Sequence, residues 1–316
     1  MRVVYGKGAE RIELTDSIVD LSWSSSRGQI AQTCDIRIRN SPLLQAAGFL
    51  MLFSGEELME SEQFFHGPIV NPRRDDKTVD LSATAYELSW YLQKNDTGPV
   101  RLNGDAGKEL ERVIKGTGIA FSCPSLGFSI KERMVSQSYG SLYTTIMEQA
   151  YEKTGKRYFL QHQRDKLTVV PEGGNQSIPL FRADLLESSS TGNSIEDVYT
   201  VVTVERYKDD KVAGRVTKEN GSLIQDIGRM EKMVDAGEDT NLSSLADRQL
   251  KELSKVPVTR SITVKHSDPK AAMLRAGWAI KIQEKDGQTI SDWIVTSCRG
   301  MWKGGQFTMD LEMERR

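Results

Sequence analysis

The sequence predicts a mainly β protein with an α/β insert, in which two antiparallel β-barrel or sandwich modules flank a small α/β region. Three observations predict it. From Phe64 to Leu92 the chain passes from a short apolar run, Gly67 to Val70, through a charged turn, Asn71 to Asp76, into a strand. There Val79, Leu81, Ala83 and Ala85 alternate with Asp80, Ser82 and Thr84, the period of a strand that is dry on one face and wet on the other. A weaker copy of this phrase closes the chain. Trp293 to Val295 leads into a Gly-bearing charged loop, Arg299 to Gly305, and then Phe307, Met309, Leu311 and Met313 alternate with Thr308, Asp310, Glu312 and Glu314. Ile69 and Val70 match Ile294 and Val295, and Asp80 and Leu81 match Asp310 and Leu311, so a duplicated β module is expected. Between the two copies the apolar spacing becomes helical. The expected division is therefore 1–95, a first β module; 96–175, the α/β insert; and 176–316, a second β module carrying one packed helix at about 241–256.

Each element follows from local pattern. Val3 to Tyr5 and Arg11 to Trp23 read as strands, with a turn cluster at Ser24 to Gly28. Thr33 to Asn40 alternates Cys34, Ile36 and Ile38 against Asp35, Arg37 and Arg39 until Ser41-Pro42 stops it. After Ala85 a short helical turn is expected from Tyr86, Leu88 and Tyr91 or Leu92. Asp105 caps a helix with Leu110, Val113 and Ile114 on its apolar face, and Ser141 caps a second with Leu142, Ile146, Met147 and Ala150, ended by Gly155. Tyr158 to Gln161 and Leu167 to Val170 form a hairpin, and Pro171 to Gln176 is the strongest linker signal. Tyr199 to Tyr207 and Val212 to Lys218 form another hairpin across Lys208 to Lys211, followed by a mobile-looking segment, Glu219 to Asp239. Thr240 or Asn241 caps a helix that Pro257 ends. Arg260 to Lys265, Trp278 to Glu284, Asp292 to Ser297 and Phe307 to Met313 complete the strands, with Asp286-Gly287 as a tight turn.

Composition narrows the function. With 42 Lys plus Arg against 44 Asp plus Glu in 316 residues, the net charge is −2, which gives no global attraction to nucleic acid or an anionic membrane. No apolar run approaches the roughly 18 residues of a membrane span, and the N-terminal stretch lacks the apolar core of a secretion signal. The three cysteines, Cys34, Cys123 and Cys298, are odd in number and dispersed, so reduced thiols in a cytosolic setting are expected.

The search for chemistry yields no catalytic residue, cofactor motif or metal ligand set. His66, His162 and His266 are far apart in sequence, the acidic pairs Glu56-Glu57 and Asp75-Asp76 fall in turns, and no phosphate-cradle, zinc or nucleophile-elbow motif occurs. Trp23, Trp90, Trp278, Trp293 and Trp302 motivate a carbohydrate platform, but four read as core or subunit contacts. Trp302, in the glycine-flanked loop, and the basic pair Arg73 and Arg74 are the candidates for contacting a partner.

Phe65-His66-Gly67-Pro68-Ile69-Val70, Ala85-Tyr86-Glu87-Leu88-Ser89-Trp90-Tyr91-Leu92-Gln93-Lys94-Asn95, Ser141 to Ile146 and the hairpin from Gly155 to Pro171 resemble, in order and spacing, phrases of the baseplate hub proteins of contractile phage tails and phage-tail-like bacteriocins, the XkdQ/YqbQ-like group. Glu87 stands where that group carries Asp, and the first sixty residues have no match. The resemblance implies two tail-tube-like modules and a non-enzymatic virion structural protein made in the bacterial cytoplasm and assembled into the baseplate. It implies a homotrimeric ring of pseudo-six-fold symmetry joining a hexameric tail tube to a trimeric spike. The implied partners are itself, the tail tube protein, the spike or tip protein and other baseplate or wedge proteins, with DNA only in transit if the particle is a phage, and no membrane or cofactor. Arg37, Arg39, Asp80, Ser82, Thr84, Asp310, Glu312 and Glu314 would line the channel or the subunit seams. The competing expectation is a cell-wall-acting or carbohydrate-binding enzyme of the same particle, with a nucleic-acid-binding factor disfavoured by charge.

Overall fold

Strand alternation places one β-strand after another along the first ninety residues of the computed structural model. It describes all residues except 40–43, 56–57, 60–61, 76, 78–79, 164, 209–210, 237–240 and 266–268. The expectations for Glu56-Glu57, Asp76, Val79, Thr240 and His266 therefore lie outside the described residues. The first strands are β1 (Arg2–Lys7), β2 (Glu10–Glu13), β3 (Ile18–Ser26), β4 (Thr33–Ile38), β5 (Phe49–Phe53), β6 (Gln63–Pro68), β7 (Arg73–Arg74) and β8 (Leu81–Tyr86). The strand expected from Arg11 to Trp23 is broken by a 3-10 turn at Thr15–Ser17. There the Thr15 hydroxyl accepts the Val3 N–H at 3.0 Å and buried Leu14 donates its N–H to the Val3 carbonyl. Arg73 and Arg74, expected in a turn, extend alongside β8.

The insert region holds α1 (Trp90–Lys94), β9 (Val100–Asp105), α2 (Ala106–Lys115), β10 (Ala120–Ser122), β11 (Ser129–Met134), α3 (Tyr139–Thr154), β12 (Tyr158–Gln163) and β13 (Lys166–Pro171). Asp105 caps α2 as expected, accepting the Lys108 N–H at 3.0 Å. The cap of α3 is Ser138 rather than Ser141, whose N–H donates to the Ser138 hydroxyl. Tyr139 and Gly140 add a turn that apolar spacing does not reveal. Gly155 ends the helix at φ 71°, the left-handed position that favours glycine. Leu110, Ile114, Leu142, Ile146, Leu160 and Leu167 share one core.

After β14 (Leu180–Arg182) and β15 (Ser188–Asn193) come β16 (Val201–Lys208), β17 (Lys211–Glu219), α4 (Gly221–Ile227), β18 (Glu231–Asp235) and α5 (Leu242–Leu253). The chain closes with β19 (Val258–Lys265), β20 (Ala279–Gln283), β21 (Ile290–Lys303) and β22 (Gln306–Arg315). By contacts it divides into Met1–Ser190 with Arg260–Arg316, and Thr191–Thr259, a different division from that given by sequence texture. Within Thr191–Thr259 the strand order is β17-β16-β18, and α5, capped by Asn241 through the Ser244 N–H, packs on Val202, Val204 and Ala236. The segment from Glu219 to Asp239 that looked mobile contains α4 and β18, with β18 parallel to β16. A parallel edge strand needs no hairpin signal, so the sequence carries none.

The larger unit is organised by a ten-stranded sheet whose main path runs β15-β19-β22-β21-β3-β4-β8-β7. The duplication is visible here as a tandem. β3-β4-β8-β7 repeats β15-β19-β22-β21 in the same spatial order. A matching hook precedes β5 and β20. Ala47, at φ 63°, stands where Gly277, at φ 91°, stands in the second copy. The Ala47 N–H donates to the Ile69 carbonyl at 3.0 Å as Gly277 does to Val295 at 2.8 Å, and Ile69 and Val295 donate back to Gly48 and Trp278 at 2.7 and 2.9 Å. These bonds set Ile69 on Val295, one residue from the sequence match with Ile294. Leu50 and Leu52 in β5, and Ile280 and Ile282 in β20, are fully buried on the inner face.

The two copies join inside the chain where β21 pairs antiparallel with β3, from Ser297 opposite Ser26 to Lys303 opposite Asp20. Gly300 lies opposite Trp23, and a Cβ there would stand 2.2 Å from the indole ring. Glycine is needed at Gly300 because Trp23 occupies that space, stacked on Phe307 at 5.8 Å.

Candidate functional site

The wet face of the sheet gathers side chains that the sequence assigned to separate strands. Asp20 lies opposite Arg37 on β3 and β4, and Arg37 opposite Ser82 on β8. The Arg37 guanidinium reaches Asp20 at 2.6 Å and Asp80 at 3.8 Å. Thr84 donates to Asp35 at 2.6 Å, Ser24 and Thr33 share a hydrogen bond of 2.9 Å, and Thr263 donates to Asp310 at 2.8 Å. Asp310 is paired in register with Arg299, which lies opposite Ser24. A row of hydroxyls and cross-strand ion pairs therefore runs across both copies. Each such exposed pair contributes only about 0–1 kcal/mol; what they fix is a hydrated, charge-interleaved surface.

Of the predicted residues, Arg37, Asp80, Ser82, Thr84 and Asp310 come together on this face, and exposed Glu312 follows Asp310 along β22. Arg39 is exposed but lies beyond the end of β4, its N–H donating to Ser17. Glu314 is drawn away from the face. It takes a hydrogen bond from Arg27 at 2.7 Å, and Arg27 also holds Glu172 at 2.8 Å, tying the β3–β4 turn to the end of β13 and to β22. Burial lowers the Arg27 pKa, but Glu314 and Glu172 outweigh it and hold the guanidinium charge. Asp20, Asp35, Thr263 and Arg299 were missed. Their signal was the alternation itself, obscured by the false continuity from Arg11 to Trp23 and by the supposed loop after Arg299.

Arg73 and Arg74 lie exposed in β7, the end strand of the sheet. Trp302 is not in a loop. β21 runs on to Lys303, and the turn is made by Gly304 and Gly305 at φ 57° and 78°. Trp302 lies opposite buried Leu21 and is half-buried on that inner side. The five tryptophans are dispersed: Trp293 and Trp302 share β21 but are nine residues apart on it, Trp23 and Trp293 are buried, and Trp90 stacks on Tyr86 at 6.0 Å. They form no common platform.

Behind the sheet lies a buried polar joint. Glu87, just past β8, accepts from Arg275 in the second hook. Arg275 also donates to the Gln32 side chain at 3.1 Å and to the His162 carbonyl at 3.4 Å. His162 Nδ1 is 3.7 Å from Glu87, and the Gln32 N–H reaches the other Glu87 oxygen at 3.3 Å. Burial pushes the Glu87 carboxyl up, but Arg275 and His162 outweigh it and hold it below the usual range. The first copy, the second copy and β12 of the insert thus meet on one carboxylate. Arg275 and Glu87 also wall a cavity of about 250 Å³ beside Tyr143, Met147 and Phe159. Their charges are spent on each other.

All three cysteines are free and buried. Burial raises the Cys34 and Cys298 thiols and pushes Cys123 up to about 12, so they stay protonated and unreactive. Among the described residues no His/Cys/Asp/Glu group could hold a metal, and no helix is long and apolar enough to cross a membrane.

A family model described as YQBQ-like matches residues 21–314. No curated protein matches the chain. Among solved structures, a tail protein from Neisseria meningitidis MC58 is similar with a TM-score of 0.71 at 15% identity, covering 99% of this chain and 96% of that one. The 43 kDa tail protein of prophage MuSo2 from Shewanella oneidensis is similar with a TM-score of 0.67 at 9% identity, covering 100% and 98%. The E. coli c3393 protein is described as a component of the type VI secretion system with structural similarity to the T4 bacteriophage tail proteins gp27 and gp5. It is similar with a TM-score of 0.52 at 8% identity, covering 95% and 74%.

Proposed function

This chain belongs to the YQBQ-like family, and on that premise we propose that it is a structural baseplate hub of a contractile tail or phage-tail-like bacteriocin. Three copies form a ring of pseudo-six-fold symmetry that joins a hexameric tail tube to a trimeric spike. The observation that carries this reading is the tandem within the ten-stranded sheet. Two copies of one β module per chain, three chains per ring, give six similar units to a six-fold partner and three identical chains to a three-fold one. The family membership and the fold shared with tail proteins support the same reading.

In this ring the wet face bearing Arg37, Asp80, Ser82, Thr84, Asp310 and Glu312 lines the central channel. Its interleaved charges suit passage, because a surface whose acids and bases neutralise each other holds no polyelectrolyte tightly. Arg73 and Arg74, at the sheet's end, belong to a seam between chains. The role is mechanical: the chain binds, spaces and aligns, and the buried Glu87–Arg275 joint keeps its two module copies in fixed register. The partners are other chains of the tail, namely the tube protein, the spike or tip and wedge components.

The test is the mass of the purified chain by light scattering, alone and with its tube and spike proteins. A mass near three times 35.4 kDa and retention of both partners are expected. A chain that stays a monomer at high concentration and retains neither partner overturns the reading.

A further inference from the structure

Apart from the main sheet, the insert region holds a two-stranded ribbon, β9 against β11, in register from Val100 opposite Met134 to Asp105 opposite Ser129. Leu102 and Ile130 are buried in the core of the insert. Alternation puts Arg101, Asn103, Lys131 and Arg133 on the other face, and all four are exposed. Arg101 stands directly opposite Arg133, and Lys131 opposite Asn103. The neighbouring cations of α2 are satisfied, Arg112 by Glu109 and Lys115 by Glu111. Among the described residues Arg101, Lys131 and Arg133 have no such partner.

The two edges of the ribbon differ. Along β9 the Arg101 carbonyl accepts from the Arg112 guanidinium at 3.1 Å, and the Asn103 N–H donates to the Glu109 carboxylate, so side chains of α2 close that edge. Backbone groups of successive residues in an antiparallel ribbon point to opposite sides. The residues in register with Arg101 and Asn103, namely Arg133 and Lys131, therefore turn their N–H and C=O groups away from β9. Among the described residues no strand or loop backbone pairs with them. The same geometry makes Arg101 and Arg133 a non-hydrogen-bonded pair, the closer of the two cross-strand spacings at about 4.5 Å between Cα atoms. Like charges set so close weaken the ribbon. Val135, next in the same alternation after Arg133, is 76% exposed.

We propose that β11 takes an extended acidic peptide segment of another chain as a third strand. The segment's backbone pairs with the outward N–H and C=O groups of Lys131 and Arg133, its alternate carboxylates meet these two cations with Arg101 behind them, and an apolar residue at its end covers Val135. A lysine on an edge is by itself a device that blunts it, and Lys131 alone would serve. Blunting does not account for Arg133 set against Arg101, which weakens the ribbon and leaves the edge as open as before. A nucleic-acid strand would satisfy the cations and leave the backbone groups bare, whereas an acidic peptide uses both. This contact lies apart from the tandem sheet and holds whether or not three chains form a ring.

The experiment is fluorescence anisotropy of the full chain with a labelled peptide in which glutamate alternates with threonine, followed by deuterium exchange of the complex. The comparison probes are the same peptide with glutamine for glutamate, two versions N-methylated at one or the other set of alternate residues, and a labelled single-stranded DNA. Saturable binding of the acidic peptide is expected, with exchange slowed across Ser129–Met134. Lys131→Gln combined with Arg133→Gln should weaken binding at least about fivefold, as should glutamine in the peptide. One methylated version should lose binding and the other keep it, because only one set of its N–H groups faces β11. The double variant should melt no lower than the native chain, since it relieves the opposed charges. No binding, equal binding of both methylated peptides, or DNA that outcompetes the acidic peptide overturns strand addition. A double variant that melts lower also overturns it, because the cations would then serve the fold itself.

Discussion

Replacing Arg275 with methionine removes the one guanidinium that, among the described residues, holds buried Glu87, which is 2% exposed, and leaves its carboxylate without a full opposite charge. Breaking one partner of a buried pair costs about 3–5 kcal/mol. At roughly 2–4 °C per kcal/mol for a unit of this size, the melting temperature should fall by about 6–20 °C at pH 7. The pH dependence separates this cause from simple repacking. In the native chain Glu87 is held below its ordinary range: burial raises it, and Arg275 with His162 lowers it further. The stability from the pair is complete above the unfolded carboxylate pKa and is lost as pH falls through the lower, folded value. In Arg275→Met burial acts with only His162, 3.7 Å away, and the Gln32 N–H, at 3.3 Å, against it, so the folded pKa rises and the variant should recover part of its loss between pH 7 and pH 5. The double variant Arg275→Met with Glu87→Gln should be more stable than Arg275→Met alone. Thermal melts by circular dichroism at the two pH values decide. A single variant that melts within about 2 °C of the native chain, or whose deficit is the same at both, refutes the argument.

Ala47→Gly should hold or raise stability by up to about 1 kcal/mol, because φ 63° strains an L-residue. Gly277→Ala, whose Cβ would meet the Phe159 ring at 2.4 Å, should cost about 2–4 kcal/mol in denaturant titrations; equal effects would contradict the pairing of the two hooks. Gly300→Ala should cost about 1–3 kcal/mol and shift the tryptophan near-ultraviolet signal as Trp23 is displaced, whereas an unchanged spectrum would refute the seating of Trp23 over Gly300. Asn241→Ala removes the α5 cap at about 1 kcal/mol and should speed amide exchange in that helix about fivefold. Amides of the insert should be unaffected, and acceleration there would contradict the division at Thr191–Thr259.

Much of this architecture was legible because its causes are local. Cys34, Ile36 and Ile38 face inward, as do Met309, Leu311 and Met313, since a half-buried strand must alternate; Asp105 and Asn241 cap helices because their side chains reach backbone donors three residues on. Glycine was misread where its cause was not local. Gly300 looked like part of a loop, but it is the space that Trp23 needs, and Trp23 is contributed by a strand at the other end of the chain. Ser141 reads as the cap because the apolar stripe begins at Leu142, although the helix starts at Tyr139. The wet face was readable strand by strand, but that Asp310 shares it with Arg37 depends on β21 pairing with β3, which no spacing encodes. The Glu87–Arg275 joint was out of reach for the same reason, its partners being brought together by the tandem itself.

The most direct test of the ring is an image of it. Class averages of the purified chain by electron microscopy should show a ring of three chains whose inner wall repeats six times. A ring with no internal repeat, or one in which six chains contribute one module each, would contradict the claim that the two copies inside each chain stand in for two neighbouring subunits.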